Sequence, residues 1–221
     1  MAGKKLSNEL KNTSYELFIG ALSILSVFNI FFALIVKDPD VFMVLSIMNA
    51  ILTSIFIVDF LYRLLTTNSK KHYMIHEFGW ADLLASMPFP QAKIFRLFRI
   101  FRVYRLMKKF GMHGILRELM SNRGSGALLT IFFLTICVLE FGSMAILAVE
   151  ASSPDAKIIT ASDAIWWIMT TITTVGYGDM YPVTSAGRMV GVLVMVIGIG
   201  LFSTIAGFLA NAFVSTKDSS K

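Results

Sequence analysis

Ser162-Asp163-Ala164-Ile165-Trp166-Trp167-Ile168-Met169-Thr170-Thr171-Ile172-Thr173-Thr174-Val175-Gly176-Tyr177-Gly178-Asp179 decides how the rest of the chain is read. Its first part, Ser162 to Ile172, is a short amphipathic stretch, far below the ~20 residues that cross a bilayer. Ser162 is the candidate N-cap, and Asp163 stands in the first turn, where the start of a helix favours an acid. The second part, Thr173 to Asp179, carries glycine at alternate positions. Gly176 and Gly178 reach backbone conformations that a Cβ forbids. Taken alone, Gly-Tyr-Gly-Asp is a glycine-rich turn joining two helices. The preceding Trp166-Trp167 and the apolar spans on either side favour another reading: non-helical backbone at membrane depth, tolerated only where protein buries it or water lines it.

The surroundings are those of a membrane protein. Of 221 residues 56% are apolar and 15% charged, with a mean hydropathy of +0.70, against ~25% charged in soluble domains. A soluble chain of this size could not hide so much apolar surface, and a disordered chain would not carry it. Cys137 is the sole cysteine, so there is no disulfide scaffold. Four spans are plain: Leu17 to Val36, Val41 to Val58, Ala127 to Val149 with Glu140 inside it, and Met189 to Val214. The stretch before the first carries Lys4, Lys5 and Lys11 but also Asn8, Glu9 and Asn12. It is not a signal peptide, and the first span is expected to remain in the mature chain.

Two weaker segments, 74–90 and 91–109, are settled by topology. Lys4, Lys5 and Lys11 hold the N-terminus in the cytoplasm, and Arg63, Lys70 and Lys71 mark the inner end of the second span. Lys108, Lys109, Arg117 and Arg123 lie inside again, so two crossings with a tight outer turn at Pro88-Phe89-Pro90 separate them from Lys71. The loop from Glu150 to Pro182, acid-rich through Asp155, Asp163 and Asp179, lies outside, and Lys217 and Lys221 place the C-terminus inside. Six crossings result, leaving no room for a soluble domain of ordinary size.

From Lys93 the basic residues recur at every third position: Lys93, Arg96, Arg99, Arg102, Arg105, Lys108, with apolar pairs between them. On an α-helix they wind as a spiral stripe, and on a 3₁₀-helix they line one face. A basic helix lying on anionic lipid, a nucleic-acid patch and an intramembrane voltage sensor all compete for this pattern. A surface helix would cluster its charges on one side, and a nucleic-acid patch would not lie between membrane spans, so no nucleic-acid partner is expected. An intramembrane arginine needs partners. Asp59 at the end of the second span, Asp82 in the middle of the third and the polar Asn49 are the candidates. Asp59 also reads simply as an interfacial charge beside Arg63.

These residues resemble those of the voltage-gated cation channels, and those of 162–196 resemble potassium channels. Phe56-Ile57-Val58-Asp59 with Arg63 is similar to that family's charge-transfer site, Phe56 being the aromatic cap and Asp59 and Asp82 the counter-charges. Arg96, Arg99, Arg102 and Arg105 look like gating charges. Thr173 to Asp179 resembles the selectivity filter, and the likeness continues through Tyr181-Pro182-Val183-Thr184, Gly187-Arg188 and Val194-Met195-Val196. The resemblance, to the six-transmembrane prokaryotic type without cytoplasmic domains, implies an all-α membrane protein. Its parts are a four-helix voltage-sensor bundle and a two-helix pore module with a re-entrant pore helix and selectivity-filter loop. The corresponding divisions are a cytoplasmic N-terminus at 1–16, the sensor at 17–109, an amphipathic linker at 110–126, the pore at 127–216 and a cytoplasmic tail at 217–221.

By the same resemblance, carbonyls of Thr174, Val175, Gly176 and Tyr177, with the Thr174 hydroxyl, replace the hydration shell of K⁺, and Gly178 completes the filter. The partners implied are three further copies in a homotetramer, membrane lipids and K⁺ as the permeant ion, with no other cofactor. The location implied is the cell membrane, with both termini cytoplasmic. Trp166 hydrogen-bonds Asp179 and Trp167 packs with Tyr177 as a cuff around the filter. Thr170 stands where some relatives carry a glutamate. Gly198 matches the gating hinge, although Gly191, Gly198, Gly200 and Gly207 equally read as close helix packing. Opening on depolarisation is the commoner arrangement. A gate opened by hyperpolarisation, or by a lipid or ligand with the sensor only modulatory, is the alternative. His72, His76 and His113 have no metal-ligand spacing, and no nucleophile–base set, Walker loop or dinucleotide fingerprint is present, so no enzyme is expected.

Overall fold

The structure, a computed structural model, describes residues 2–67, 74, 79–85, 98–101, 103–104, 108 and 125–218. Arg96, Arg102 and Arg105, the turn at Pro88-Phe89-Pro90, the linker as far as residue 124 and the side chain of Asp82 lie outside the described residues. The described residues are helices and their connections: α1 (Ala2–Ile35), α2 (Pro39–Thr66), α3 (Gly79–Ala85), α4 (Ser125–Glu150), α5 (Ala161–Ile172) and α6 (Ser185–Asp218).

Four of them, over Ser14–Ile35, Pro39–Thr66, Gly126–Glu150 and Ser185–Asn211, are long and apolar enough to cross a membrane. They coincide with the four plain spans of the sequence, and the chain is a multi-pass membrane protein. Helix ends do not follow hydropathy. α1 begins well before Leu17, and α2 runs past Val58 to Thr66. The charges that end the apolar run of α2 are accommodated within the helix, because Arg63 Nε donates to Asp59 Oδ1 one turn earlier at 2.9 Å. At its other end the Asp38 carboxylate accepts the N–H groups of Asp40 and Val41 at 2.9 and 3.0 Å. Pro39 takes the first helical position, where a missing N–H costs nothing.

The chain forms two compact units, 1–36 with 45–129 and 37–44 with 130–221. The core of the first is the facing apolar stripe of α1 and α2, including Leu22, Leu45, Met48, Leu52 and Phe56. Within that unit Trp80 of α3 packs edge-on to Phe98 and near Phe101, at ring-centroid distances of 5.5 and 6.0 Å. The core of the second unit is built on Ile146, Ile158, Ala164 and Ile168.

In the second unit α4 is joined to the start of α6 by Glu150. Charge counting assigns this residue to the acid-rich outer loop, but it is fully buried. Its carboxylate accepts the N–H groups of Val183 and Thr184, both at 2.9 Å, and the Thr184 hydroxyl at 2.6 Å. Gly187 lies so close that a Cβ there would overlap the carboxylate.

Candidate functional site

The loop after α5 hangs from the end of that helix. Val175 and Gly176 both donate to the Thr170 carbonyl, at 3.0 and 3.1 Å, and Thr174 donates to the Thr171 carbonyl at 3.1 Å. These bonds occupy the carbonyls that a helix C-terminus leaves without an intrahelical partner. From there the backbone alternates. Thr174, Gly176 and Gly178 have φ of 60°, 55° and 78°, with Val175 and Tyr177 between them. The glycines are where the sequence requires them. Thr174 takes the left-handed conformation despite its branched Cβ, a strained choice that no preference of threonine announces. Every second peptide is therefore flipped relative to a regular strand, so successive carbonyls can turn to one side. Thr174 to Asp179 are exposed within the single chain.

A second tether runs along the loop. Trp166 Nε1 donates to Asp179 Oδ2 at 2.9 Å, as the resemblance implies. The ring stacked on Tyr177 is also that of Trp166, with centroids 5.5 Å apart and planes 9° apart. Within the single chain, then, Trp166 and not Trp167 stacks on Tyr177. Neighbouring residues on an α-helix point ~100° apart. Trp166 therefore faces the loop while Trp167 is 6% exposed and turns toward α6, where a Cβ on Gly191 would lie 3.6 Å from its ring. Thr170 is buried, its hydroxyl donating to the Trp167 carbonyl at 3.1 Å. Gly198 sits against the foot of α5: a Cβ there would come within 2.8 Å of Ile172 Cα. α6 runs as one helix through it.

The cap of α5 is not the expected Ser162 but Thr160, two residues before it. Asp163 N–H donates to Thr160 Oγ1 at 3.2 Å, and Thr160 N–H donates to Asp163 Oδ2 at 2.9 Å, a capping box. Thr-x-x-Asp spells this motif in the sequence. Ile159 N–H adds a bond to Asp163 at 3.2 Å. Burial raises the Asp163 pKa, but the bonds from Thr160 and Ile159 outweigh it and hold the carboxyl below its ordinary value. Ala161 N–H, also at the start of the helix, donates to Asp40 Oδ1 at 3.3 Å.

The first unit holds the other candidate residues. Arg99 is only 2% exposed, and its guanidinium lies over the Phe56 ring at 4.6 Å from the centroid. Nη1 donates to Ser26 Oγ and Nη2 to Thr53 Oγ1, the latter at 2.9 Å. Both hydroxyls are set to accept. Thr53 gives its proton to the Asn49 carbonyl at 2.7 Å and Ser26 to Asn49 Oδ1 at 3.4 Å, leaving lone pairs for the guanidinium. On the far side of Phe56 along α2 lies Asp59, 1% exposed. It accepts from Arg63 and from the Tyr15 hydroxyl, at 2.9 and 2.8 Å.

Phe56, Asp59 and Arg99 therefore share one buried region with Asn49. Ser26, Thr53 and Tyr15 join them unannounced, because one hydroxyl in an apolar span hardly alters its hydropathy. The period of α1 is the one signal that reaches Ser26, which shares the apolar stripe of Leu22 and Leu25.

Comparison with known proteins gives a consistent picture. The family model described as "Ion transport protein" matches residues 12–221. A voltage-gated potassium channel of Aeropyrum pernix is 41% identical over 73 residues, 33% of this chain and 25% of that protein. A potassium channel protein, by name, of Rhodopseudomonas palustris is 33% identical over 149 residues, 64% of this chain and 36% of its own length. The human potassium voltage-gated channel subfamily A member 6 is 48% identical over 71 residues, 32% of this chain and 13% of that protein. The chain thus spans little more than a third, at most, of the length of these relatives.

Proposed function

Because the chain belongs to the ion transport protein family, we propose that it forms a voltage-gated, potassium-selective channel assembled as a homotetramer. The observation that carries the reading is the alternation of left-handed backbone at Thr174, Gly176 and Gly178 on a loop tied to α5. Carbonyls of Thr174, Val175, Gly176 and Tyr177, with the Thr174 hydroxyl, take the place of water around K⁺, and the permeant ion is cargo. One chain supplies one loop, whose Val175 and Tyr177 are 55% and 68% exposed. Four loops around a common axis complete the ring. α6 supports assembly through its own sequence, since Met189, Leu193, Val196, Ile199 and Phe213 are each more than half exposed on their own chain. Trp166 and Asp179 hold the loop in shape, with Trp167 packed behind. Bending of α6 at Gly198 opens the inner end.

Residues 17–109 act as the sensor and 127–216 as the pore, coupled by the linker at 110–126, in six crossings with both termini in the cytoplasm of a cell-membrane protein. Arg96, Arg99, Arg102 and Arg105 are the gating charges, Asp59 and Asp82 their counter-charges and Phe56 the cap between inner and outer sites. The burial of Arg99 among Phe56, Ser26 and Thr53 supports this role. Each elementary charge that crosses the full field yields ~2.3 kcal/mol per 100 mV, enough for a few charges per subunit to drive a gate. Depolarisation, which moves the ladder outward, opens it. The relatives named as potassium channels support the choice of ion.

Purified protein in planar bilayers tests the reading. Potassium current rising steeply at depolarising voltages, with sodium excluded, is expected. Comparable sodium permeation would overturn the assignment of the ion, and current indifferent to voltage would overturn the sensor.

A further inference from the structure

α1 carries a period that matches the ladder. Ser23, Ser26 and Asn29 stand three residues apart and all are 0% exposed, the spacing of the basic residues from Lys93 to Lys108. At 1.5 Å of rise per residue, one step along either helix is ~4.5 Å. The three positions are occupied differently. Ser23 gives its proton to the Ile19 carbonyl at 2.8 Å, closing on its own helix. Ser26 accepts the Arg99 guanidinium and reaches Asn49. Asn29, one step further along α1, has neither amide oxygen nor amide nitrogen hydrogen-bonded among the described residues. A buried polar group left in that state is destabilising. An amide kept at this cost, one ladder step from an occupied guanidinium site, has the character of a vacant acceptor.

We propose that Asn29 is the next receptor of the arginine ladder. When the ladder advances one triplet toward the outer face, a guanidinium leaves Ser26 and Thr53 and is taken by the Asn29 amide oxygen, with Asn49 alongside. This rests on the voltage-sensor reading above and adds to it a neutral outer stop. The chemistry suits movement: an amide oxygen accepts a guanidinium hydrogen bond without the deep trap that a carboxylate would form in low dielectric. A track of hydroxyl, hydroxyl and amide in register with the charges lets them step.

The test is the charge–voltage curve of the full chain expressed in a cell membrane under voltage clamp, a readout independent of which direction opens the gate. Asn29→Ala removes the acceptor and is expected to move the midpoint to more positive voltages. Asn29→Asp adds attraction at the outer stop and is expected to move it to more negative voltages, with about a tenfold change in the ratio of outward to inward sensors at fixed voltage. Displacements of opposite sign support the proposal, since a purely structural role would not make the sign follow the charge. Midpoints that stay put, or move together, overturn it. Arg99→Gln separates this failure from failure of the sensor reading. Total charge that falls while the Asn29 variants are silent removes only the receptor, and total charge that does not fall removes the sensor role of Arg99 as well. If either Asn29 variant fails to reach the membrane, Asn29→Val and Asn29→Glu take their places with the same expected signs, and displacements that are absent or of one sign overturn the proposal.

Discussion

Around Arg99 the groups that meet a cation are side chains from separate helices, Ser26 on α1 and Thr53 and Phe56 on α2. In the 174–178 loop the corresponding groups are consecutive backbone peptides, held by bonds to a helix that ends at Ile172. On the proposed reading the two regions face the same physical problem, a positive charge in a medium of low dielectric. The side-chain solution spreads its parts over 73 positions of chain, so the charge can exchange partners as helices slide. The backbone arrangement fixes its parts within one short loop, past which an ion moves on the proposed reading. A protein that, on the proposed reading, both moves a charge of its own and passes a foreign one has reason to use each method where it does.

The comparison is broken most completely at Gly176. Its φ of 55° is open to glycine but costs ~1–2 kcal/mol for a residue with a Cβ, and the proposed fourfold ring would repeat that cost in every subunit. A Cβ there meets nothing within 4 Å in the single chain, so within the chain the effect is conformational. Gly176→Ala is expected to abolish selective potassium current while leaving the charge–voltage curve of the sensor unchanged. A normal potassium-to-sodium current ratio in the variant would mean that the flipped peptide is not needed.

A smaller and opposite effect is expected in the other region. Thr53→Val keeps the branched shape and removes the hydroxyl that Arg99 Nη2 meets at 2.9 Å. A hydrogen bond to a charged group contributes ~1.5–3 kcal/mol. The variant is expected to displace the charge–voltage midpoint by that amount of bias and to leave ion selectivity untouched, while Thr53→Ser keeps the original midpoint. Equal displacement by Ser and Val would show that packing, not the hydroxyl, is what Thr53 contributes.

How each region reads from sequence follows from the same contrast. The loop is contiguous, so Gly176 and Gly178 announce its backbone, and only the left-handed Thr174 has no signature. The four plain spans read directly from apolar length, though the ends of α1 and α2 do not, because a helix need not stop with its apolar run, and α2 continues through the Asp59–Arg63 pair. Arg99 and Phe56 were legible as a basic triplet and an aromatic above an acid. Ser26, Thr53 and Tyr15 were not, since their role exists only once distant helices meet. The burial of Glu150 is illegible for the same reason: its partners, the N–H groups of Val183 and Thr184, lie more than 30 residues away. The Trp166–Tyr177 stack required knowing which way the end of α5 faces.

The smallest expected effect lies at the cap of α5, where the loop region draws on side-chain chemistry after all. The Asp163 carboxyl is held below its ordinary range by the bonds from Thr160 and Ile159, which exceed the opposing effect of burial, and it sits at the positive end of the helix. A folded-state pKa that lies below the unfolded one gives stability that is fully present above the unfolded value, about 3.9 for aspartate, and is lost as pH falls through the folded value. Asp163→Asn should therefore lower the thermal midpoint of the purified protein at neutral pH by an amount equivalent to ~1 kcal/mol or less, the lower range for a solvent-facing cap. The gap between the two proteins should narrow below about pH 4 and close once the carboxyl is protonated. A gap that is absent at pH 7, or that persists unchanged in acid, would mean that the neutral part of the capping box holds the helix start and that the charge contributes nothing to it.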